Sequence, residues 1–157
     1  MSSGYVPRRL TDVSRAAELL SLVHAAFGAL EIQPPSSVLK ETAAGFAARL
    51  ASETCFVIES DSRLIASVFC IRQGDALYIG RLAVAPEWRG KRLATALLDA
   101  AKEEARRIGA KHIIVKVRVA LASNVVLFRR HGFAIVAEET QAGYPAPTSY
   151  VMELRLG

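Results

Sequence analysis

The sequence predicts an α/β (α+β) fold in which about four helices flank a mixed, mostly antiparallel sheet of six or seven strands. Two observations predict this architecture. Three strand-like segments separated by turn residues precede the longest helical segment, and further strand-like segments follow it. Strands on both sides of one long helix imply an antiparallel meander, a right-handed crossover and a final antiparallel pair.

Length and composition indicate one domain. The chain has 157 residues and is 52% hydrophobic, which is enough for one substantial core but not for two separate ones. Residues 1–157 are therefore expected to form a single domain. No apolar run approaches the roughly 18 residues that a membrane helix needs, and residues 1–10 lack the hydrophobic stretch of a signal peptide. We expect a cytoplasmic protein with no membrane partner.

The first half of the chain predicts two helices and four strands. Thr11 or Asp12 is the expected cap of the first helix. The apolar residues of this helix recur at helical spacing: Ala16, Leu20, Val23 and Phe27. A loop with two prolines and two serines leads to a second helix at residues 42–51. The strand-like segments are residues 5–9, 55–59, 64–72 and 76–84.

The second half begins with the longest predicted helix, residues 90–108, which Gly109 terminates. Its apolar face consists of Leu93, Leu97, Leu98, Ala101, Ala105 and Ile108. Residues 112–119 alternate in character and have one fully apolar face, which is typical of a strand. A short helix from Ser123 or Asn124 to His131 follows. Strands at residues 133–137 and 149–156 complete the sheet.

The passage from the strand at residues 76–84 into the long helix is the segment that carries chemistry. Backbone amides at a helix start lack acceptors within the helix and lie at the positive end of its dipole. Three cations accompany them here: Arg89, Lys91 and Arg92. Such a site suits a pyrophosphate, although an ordinary basic helix start is the alternative interpretation. The segment has neither the Gly-Lys-Ser/Thr of a P-loop nor the pattern G-x-G-x-x-G.

Charge is concentrated around this junction. Residues 81–130 contain twelve of the twenty Lys and Arg residues, and their net charge is +8 against −3 for the rest of the chain. A phosphate-rich small molecule needs only such a patch, whereas duplex binding needs a basic stripe and a recognisable reading helix. The sequence has no such helix, so no nucleic-acid partner is expected. The three histidines have no metal-like partner at i+3 or i+4, so no metal site is expected.

Residues 89–94 resemble the acetyl-CoA signature of the GNAT superfamily, Q/R-x-x-G-x-G/A. Residues 124–133 resemble a later segment of that family, N...(Y/F)-x-x-x-G-F, and the order of elements agrees along most of the chain. The Pro-Pro-Ser-Ser loop at residues 34–37 and the Gly-Tyr-x-x-Pro-Thr-Ser segment at residues 143–149 are similar to those of a bacterial subgroup. The resemblance implies a GNAT fold and an N-acetyltransferase that uses acetyl-CoA.

The resemblance also implies where acetyl-CoA binds. Arg89 and the amides of six residues would hold the pyrophosphate: Gly90, Lys91, Arg92, Leu93, Ala94 and Thr95. The backbone of Leu82 and Val84 would pair with the pantetheine arm, and Asn124 and Phe128 would border that arm on the other side. The Leu82 N–H is the candidate donor that polarises the thioester carbonyl.

Three residues depart from the family pattern. Arg92 stands at the usual glycine, Phe128 stands where many members have a tyrosine that protonates the leaving thiolate, and Tyr78 stands where some members have a glutamate base. Tyr144, water or no group at all is left as the acid. Tyrosine is a poor base at its usual pKa, so a water relay or an amine that arrives partly neutral is favoured over Tyr78.

The acceptor site is the least defined part of the prediction. Phe27, Glu31, Tyr78 and Tyr144 are the candidate acceptor contacts. Glu31 is either a base, a ligand for a cationic acceptor or a solvated loop carboxylate. Tyr144 either lines the acceptor pocket or belongs to a stiff connection between strands.

The predicted function is direct acetyl transfer from acetyl-CoA to an amine acceptor that the sequence does not identify. A non-catalytic acyl-CoA sensor is the alternative that Phe128 and Tyr78 suggest, and a basic nucleic-acid-binding module is a third hypothesis. A homodimer that pairs through the C-terminal strand is a further expectation.

Overall fold

A seven-stranded sheet forms the centre of the computed structural model, which describes residues 5–30 and 32–157. The spatial order of the strands is β1-β2-β3-β4-β5-β7-β6. Only β4 and β5 are parallel, and every other neighbouring pair is antiparallel. The strands are β1 (Arg8–Arg9), β2 (Thr54–Ser60), β3 (Arg63–Gln73), β4 (Ala76–Val84), β5 (His112–Arg118), β6 (Ala134–Glu139) and β7 (Ser149–Arg155). The predicted mixed sheet is confirmed.

Four α-helices cover the sheet: α1 (Ala16–Gly28), α2 (Ala43–Ser52), α3 (Leu93–Arg107) and α4 (Ala122–Arg130). Asp12 caps the 3-10 turn that leads into α1, because its carboxylate accepts a hydrogen bond from the amide of Ser14. Thr42 caps α2 by accepting one from the amide of Gly45. Further 3-10 turns span Ser37–Lys40 and Pro86–Trp88.

Apolar side chains cover both faces of the sheet and form two cores. Leu97 and Leu98 of α3 and Phe128 of α4 pack on one face. Leu19 of α1 and Phe46 of α2 pack on the other, where Phe46 and Phe69 meet edge to face with ring centroids 5.5 Å apart. The sheet therefore has an α3/α4 face and an α1/α2 face, and each side chain of a strand belongs to one of them.

The long helix begins later than the sequence predicts. The helical pattern places its start at Gly90, whereas α3 begins at Leu93. Gly90 and Arg92 have φ angles of 79° and 61°, which belong to the left-handed region and cannot continue a right-handed helix. Residues 89–92 therefore form a turn that precedes the helix.

The C-terminal strand lies inside the sheet. β7 pairs with β5 along Ser149–Arg155 on one side and with β6 on the other. Pairing of a second copy through this strand, as expected from the sequence, is therefore wrong, since both of its edges are occupied. The edge strand at this end is β6, whose residues are mostly exposed.

Among the described residues, no helix has both the length and the apolar character that crossing a bilayer requires. Glu31, one of the predicted acceptor contacts, lies outside the described residues.

Glu104 is a charged residue in the buried face of α3. Only 7% of its surface is exposed. Arg107 donates two hydrogen bonds of 2.8 Å to its carboxylate, and Arg9 donates one of 3.0 Å. The hydrogen bonds from Arg107 lower the pKa of Glu104, although burial opposes them. The carboxylate ties β1, the edge strand, to α3.

We expect Glu104→Gln to lower the free energy of unfolding by about 2 kcal/mol at pH 7, because two charge-assisted contacts are lost. The pKa of Glu104 is lower in the folded protein than in the unfolded chain. Its contribution to the free energy of unfolding is therefore complete above the ordinary pKa of a glutamate and is lost as the pH falls through the pKa of the folded state. Urea unfolding across pH 3–7 checks this. The difference between wild type and variant should shrink on acidification. Exposed Glu103→Gln is the matched control, and an equal effect there would contradict the assignment.

Candidate active site

Strands β4 and β5 separate halfway along their length. Their register pairs Ala76 with His112 and ends with Ile79 opposite Val115. Both strands continue beyond that point, β4 to Val84 and β5 to Arg118. β5 remains paired with β7 over its whole length, so it is β4 from Gly80 onward that has lost its neighbour. A wedge opens between the two strands, and backbone groups of β4 face it.

A bulge in β4 accounts for the separation. Ser67 of β3 pairs with Ala83 and Phe69 pairs with Gly80, so Arg81 and Leu82 together oppose the single residue Val68. Arg81 has a φ of 51°, in the left-handed region that non-glycine residues seldom occupy. A bulge increases the local twist and bends its strand. The turn at Arg81 therefore directs the end of β4 away from β5.

An ion pair holds the bulge in place. The Arg81 guanidinium pairs with the Glu41 carboxylate, and its Nε lies 3.0 Å and 3.2 Å from the two oxygens. Arg49 of α2 also donates to Glu41, at 3.1 Å. Burial opposes ionisation of Glu41, but the two guanidinium groups outweigh it, so the pKa of this carboxyl is lowered. The bulge is thereby fastened to the α1/α2 layer.

A cavity of about 920 Å³ occupies the wedge and reaches both faces of the sheet. Eight of the residues predicted from the sequence line it: Phe27, Tyr78, Leu82, Val84, Arg89, Ala94, Asn124 and Phe128. The Pro-Pro-Ser-Ser loop, residues 34–37, lines it from the α1/α2 side. The structure thus brings most of the predicted residues together.

The turn before α3 lies at one end of this cavity. The α3 N-terminus has no side-chain cap, and its first helical hydrogen bond is donated by Ala96 to the Arg92 carbonyl. The amides of Leu93, Ala94 and Thr95 precede that donor, so they have no acceptor within the helix. A Cβ at Gly90 would meet nothing within 4 Å, so the turn has open space in front of it. These features suit an anionic ligand.

The side chains of this turn differ in what they contact. Arg89 donates to the carbonyl of Ala26 at 3.1 Å and so also anchors the C-terminal end of α1. Lys91 lies 6.0 Å from the centre of the Trp88 ring, and the Arg92 side chain is exposed. The Leu93 side chain is buried in the α3/α4 core, so only its backbone is available to a ligand.

His131 supports Thr95 from behind. Its Nε2 lies 3.3 Å from the Thr95 hydroxyl, and its Nδ1 lies 3.3 Å from the Lys102 ammonium. Burial and the nearby Lys102 lower the pKa of His131. A lysine ammonium can only donate a hydrogen bond, so Nδ1 is the acceptor. Nε2 then carries the ring proton and donates a hydrogen bond to the Thr95 hydroxyl. The Thr95 hydroxyl is then free to donate to a ligand at the turn.

The residues at the predicted catalytic positions occupy different depths. Phe128 is 3% exposed and packs edge to face against Phe133, with ring centroids 5.3 Å apart. Tyr78 lines the cavity on the α1/α2 side. Tyr144 lies outside the cavity lining, and its electrostatic interaction with Arg118 places it near the rim. Its role as a proton donor remains a prediction.

The two cysteines are unsuited to nucleophilic chemistry. Both are free and buried. Burial raises the pKa of Cys70 to about 12 and raises that of Cys55 as well, so neither forms thiolate near neutral pH. In the described part of the chain, no group of three or more His, Cys, Asp or Glu side chains is arranged to hold a metal ion.

Sequence reasoning missed four residues around the cavity. They are Glu41, Arg81, Lys116 and Arg118. The alternation at residues 112–119 was the available signal for Lys116 and Arg118, because it places both on the polar face of the strand. The bulge has no sequence signal, since an arginine is not expected at a positive φ.

Comparisons with known proteins identify the family. The model of the Acetyltransferase (GNAT) family matches residues 17–133, about three quarters of the chain. The chain belongs to the GNAT acetyltransferase family. A curated relative, N-alpha-acetyltransferase 30 of Schizosaccharomyces pombe, is 31% identical over 86 residues. That match covers 52% of this chain and 57% of the relative, so this GNAT chain matches little more than half the length of that relative.

Solved structures confirm the GNAT fold over nearly the whole chain. The PaiA N-acetyltransferase of Thermoplasma acidophilum, in complex with coenzyme A, is 15% identical with a TM-score of 0.81, covering 99% of this chain and 100% of that one. The ribosomal-protein-S18-alanine N-acetyltransferase of Escherichia coli has a TM-score of 0.77 at 18% identity, covering 96% and 93%. YncA of Salmonella typhimurium, with its cofactor acetyl-CoA, has a TM-score of 0.73 at 22% identity, covering 98% and 95%.

The left-handed bulge predicts an unusual order of stability. Arg81→Gly and Arg81→Ala both lose the pair with Glu41, but only alanine keeps a Cβ that the positive φ disfavours. We expect Arg81→Ala to be less stable than Arg81→Gly by about 1 kcal/mol, because the backbone strain is of that size. Urea unfolding of the two variants measures the difference. A glycine variant less stable than the alanine variant, as at an ordinary strand position, would show that Arg81 is not left-handed.

Proposed function

We propose that this protein is an N-acetyltransferase that transfers the acetyl group of acetyl-CoA directly to an amine. The observation that carries the proposal is the wedge between β4 and β5, which ends at a helix start with unpaired amides. Family membership supports it independently. The wedge offers main-chain groups to an extended arm, and the helix start offers donors to a pyrophosphate, so one elongated ligand fits both.

Each part of acetyl-CoA has a proposed partner. Arg89 and the amides of residues 90–95 hold the pyrophosphate, with the Thr95 hydroxyl as a further donor. Leu82 and Val84 pair with the pantetheine arm as a neighbouring strand would, while Asn124 and the Phe128 ring border its other side. The Leu82 amide, in the bulge, is the proposed donor to the thioester carbonyl. A donor aimed at a developing oxyanion contributes about 3 kcal/mol to catalysis.

The chemical step is a single displacement. The neutral amine attacks the carbonyl carbon of the thioester, a C–N bond forms, the C–S bond breaks and the CoA thiolate departs. The attacking nitrogen loses its proton to water, since the phenol of Tyr78, at the position of the base, is a poor proton acceptor. Thiolate is a good leaving group near neutral pH, so the absence of a hydroxyl at Phe128 does not prevent turnover. Ping-pong kinetics would contradict this scheme.

Two charge variants of Gly90 test the pyrophosphate site. A Cβ at Gly90 meets no atom, so Gly90→Glu and Gly90→Gln fit the turn equally well and share the same backbone strain. We expect Gly90→Glu to weaken CoA binding at least about tenfold more than Gly90→Gln, because only glutamate repels the diphosphate. Calorimetry with CoA measures both affinities. Equal affinities would place the pyrophosphate elsewhere, and no CoA binding by the wild type would refute the proposed function.

The Tyr144 hydroxyl can be tested as the proton donor. Tyr144 lies outside the cavity lining and thiolate needs little help to leave, so we expect Tyr144→Phe to change kcat by less than about threefold. The pH dependence of thiol release measures this, and Tyr150→Phe is the matched control. A fall of roughly a hundredfold, confined to Tyr144→Phe, would make Tyr144 the acid after all. CoA binding with no transfer to any amine would indicate a sensor instead of an enzyme.

We further propose a single domain and a cytoplasmic location in a bacterium. The loop resemblance supports the bacterial origin, and two free, buried cysteines are compatible with a reducing compartment. A homodimer remains an expectation, and the exposed edge strand β6 is a more suitable contact for it than β7.

A further inference from the structure

The α1/α2 face of the wedge carries a distinct set of side chains. Val115 and Val117 of β5 are buried in the α3/α4 core. Lys116 and Arg118 alternate with them and therefore project from the opposite face, as Tyr78 does on β4. This side of the cavity is closed by the C-terminal end of α1 and the loop at residues 34–40. Because acetyl-CoA is proposed to bind beside α3, the α1/α2 face of the wedge is left for the acceptor.

The described residues that line the cavity include cations and no acids. Its basic side chains are Lys40, Arg81, Arg89, Lys116 and Arg118, and no carboxylate of a described residue belongs to the lining. Two of these cations are neutralised by neighbours. Arg81 pairs with Glu41, and Lys116 lies 3.2 Å from Glu139. Lys40 is exposed, and Arg89 belongs to the turn before α3.

Arg118 is different from the others. Its guanidinium donates to the carbonyl of Pro34, and it forms no ion pair with a carboxylate of any described residue. Burial lowers the pKa of Arg118, so the group is partly desolvated, yet an arginine stays charged at neutral pH. A partly buried charge that has no counter-charge is unfavourable unless a ligand supplies one. A carboxylate or phosphate suits the guanidinium fork best.

Arg118 lines the same cavity as the proposed reaction centre at Leu82. Ile79 and Val115 form the last pair of β4 and β5. Beyond that pair, β4 carries Leu82 and β5 carries Arg118, and both residues line the cavity that opens between the separating strands. The bulge adds a residue to β4, so the two strands are no longer in register there. Because both residues line one cavity, an acceptor amine that attacks beside Leu82 can present an anionic group to Arg118.

We propose that Arg118 is the specificity-determining residue of the acceptor site and binds an anionic group of the acceptor. The acceptor class is a small amine with a carboxylate or phosphate a few bonds from the nitrogen. This inference rests on the proposed acetyl transfer. Pro34 contributes by holding the guanidinium in place, and the Pro-Pro-Ser-Ser loop lines the compartment that receives the acceptor.

Matched pairs of amines test the acceptor class. Thiol release is measured with amino acids and their decarboxylated amines, such as phenylalanine against phenethylamine and serine against ethanolamine. Phosphoethanolamine against ethanolamine tests the phosphate. We expect the anionic member of a pair to have a kcat/KM at least about tenfold higher, which corresponds to one charge-assisted contact. Amino acid amides and short peptides with amidated C-termini form a further arm, since they retain the amine and lack the carboxylate.

Variants of Arg118 assign the effect to this residue. Arg118→Gln should raise KM for anionic amines at least about tenfold and leave neutral amines nearly unchanged, while Arg118→Lys restores part of the preference. Arg155→Gln, at an exposed arginine of β7, is the control and should change nothing. CoA affinity, measured by calorimetry, should be the same in all four proteins.

The possible results separate this inference from the proposed function. Three results would overturn the role of Arg118 while acetyl transfer stands. They are an equal kcat/KM for neutral and anionic amines, a preference for amidated peptides, and an equal loss of kcat/KM for both members of a pair in Arg118→Gln. If no amine of the panel turns over, calorimetry with the CoA-loaded protein decides. If the wild type binds anionic amines and Arg118→Gln does not, the role of Arg118 is supported. If the wild type binds no anionic amine, that role is overturned. A wild type that binds no CoA refutes the proposed function itself.

Discussion

The ion pair between Arg81 and Glu41 is the constraint on which the cavity depends. A non-glycine residue at a φ of 51° is strained, and a strained backbone persists only where its surroundings hold it. Glu41 does so from the α1/α2 layer, with Arg49 as a second cation on the same carboxylate. The bulge fixed in this way bends β4 away from β5 while β7 keeps β5 in line. Without the bulge, the two strands would continue to pair and no wedge would exist.

The wedge gives the two faces of one sheet different tasks. On the α3/α4 face, unpaired amides at the helix start and the backbone of β4 suit a long phosphorylated ligand. On the α1/α2 face, the side chains of β5 and the Pro-Pro-Ser-Ser loop form a second compartment that reaches the same point of β4. A reaction between two molecules needs such an arrangement, because each must arrive from its own side and meet the other at one place.

Two of the strained backbone positions lie where the chemistry is proposed. Among the described residues, four non-glycine residues have a positive φ. Two of them, Asp61 and Ser62, form the tight turn between β2 and β3. The other two are Arg81 and Arg92, at the bulge and at the turn before α3. Ordinary stability is supplied elsewhere, by the two apolar cores and by ion pairs such as that of the buried Glu104 with Arg107. The fold can therefore hold an irregular backbone at the site.

The sequence by itself determined the order of elements, the fold class and the anion-binding character of the α3 start, because periodicity and charge are local properties of the chain. The approximate positions of the seven strands and four α-helices of the described chain, such as β4 at Ala76–Val84, follow from these patterns. Only the tertiary structure decided that Arg92 is left-handed, that Arg81 forms a bulge and that Arg118 lines the cavity without a carboxylate partner among the described residues. These features depend on contacts between residues far apart in the chain, such as Glu41 with Arg81 and Pro34 with Arg118, and no local pattern encodes such pairs.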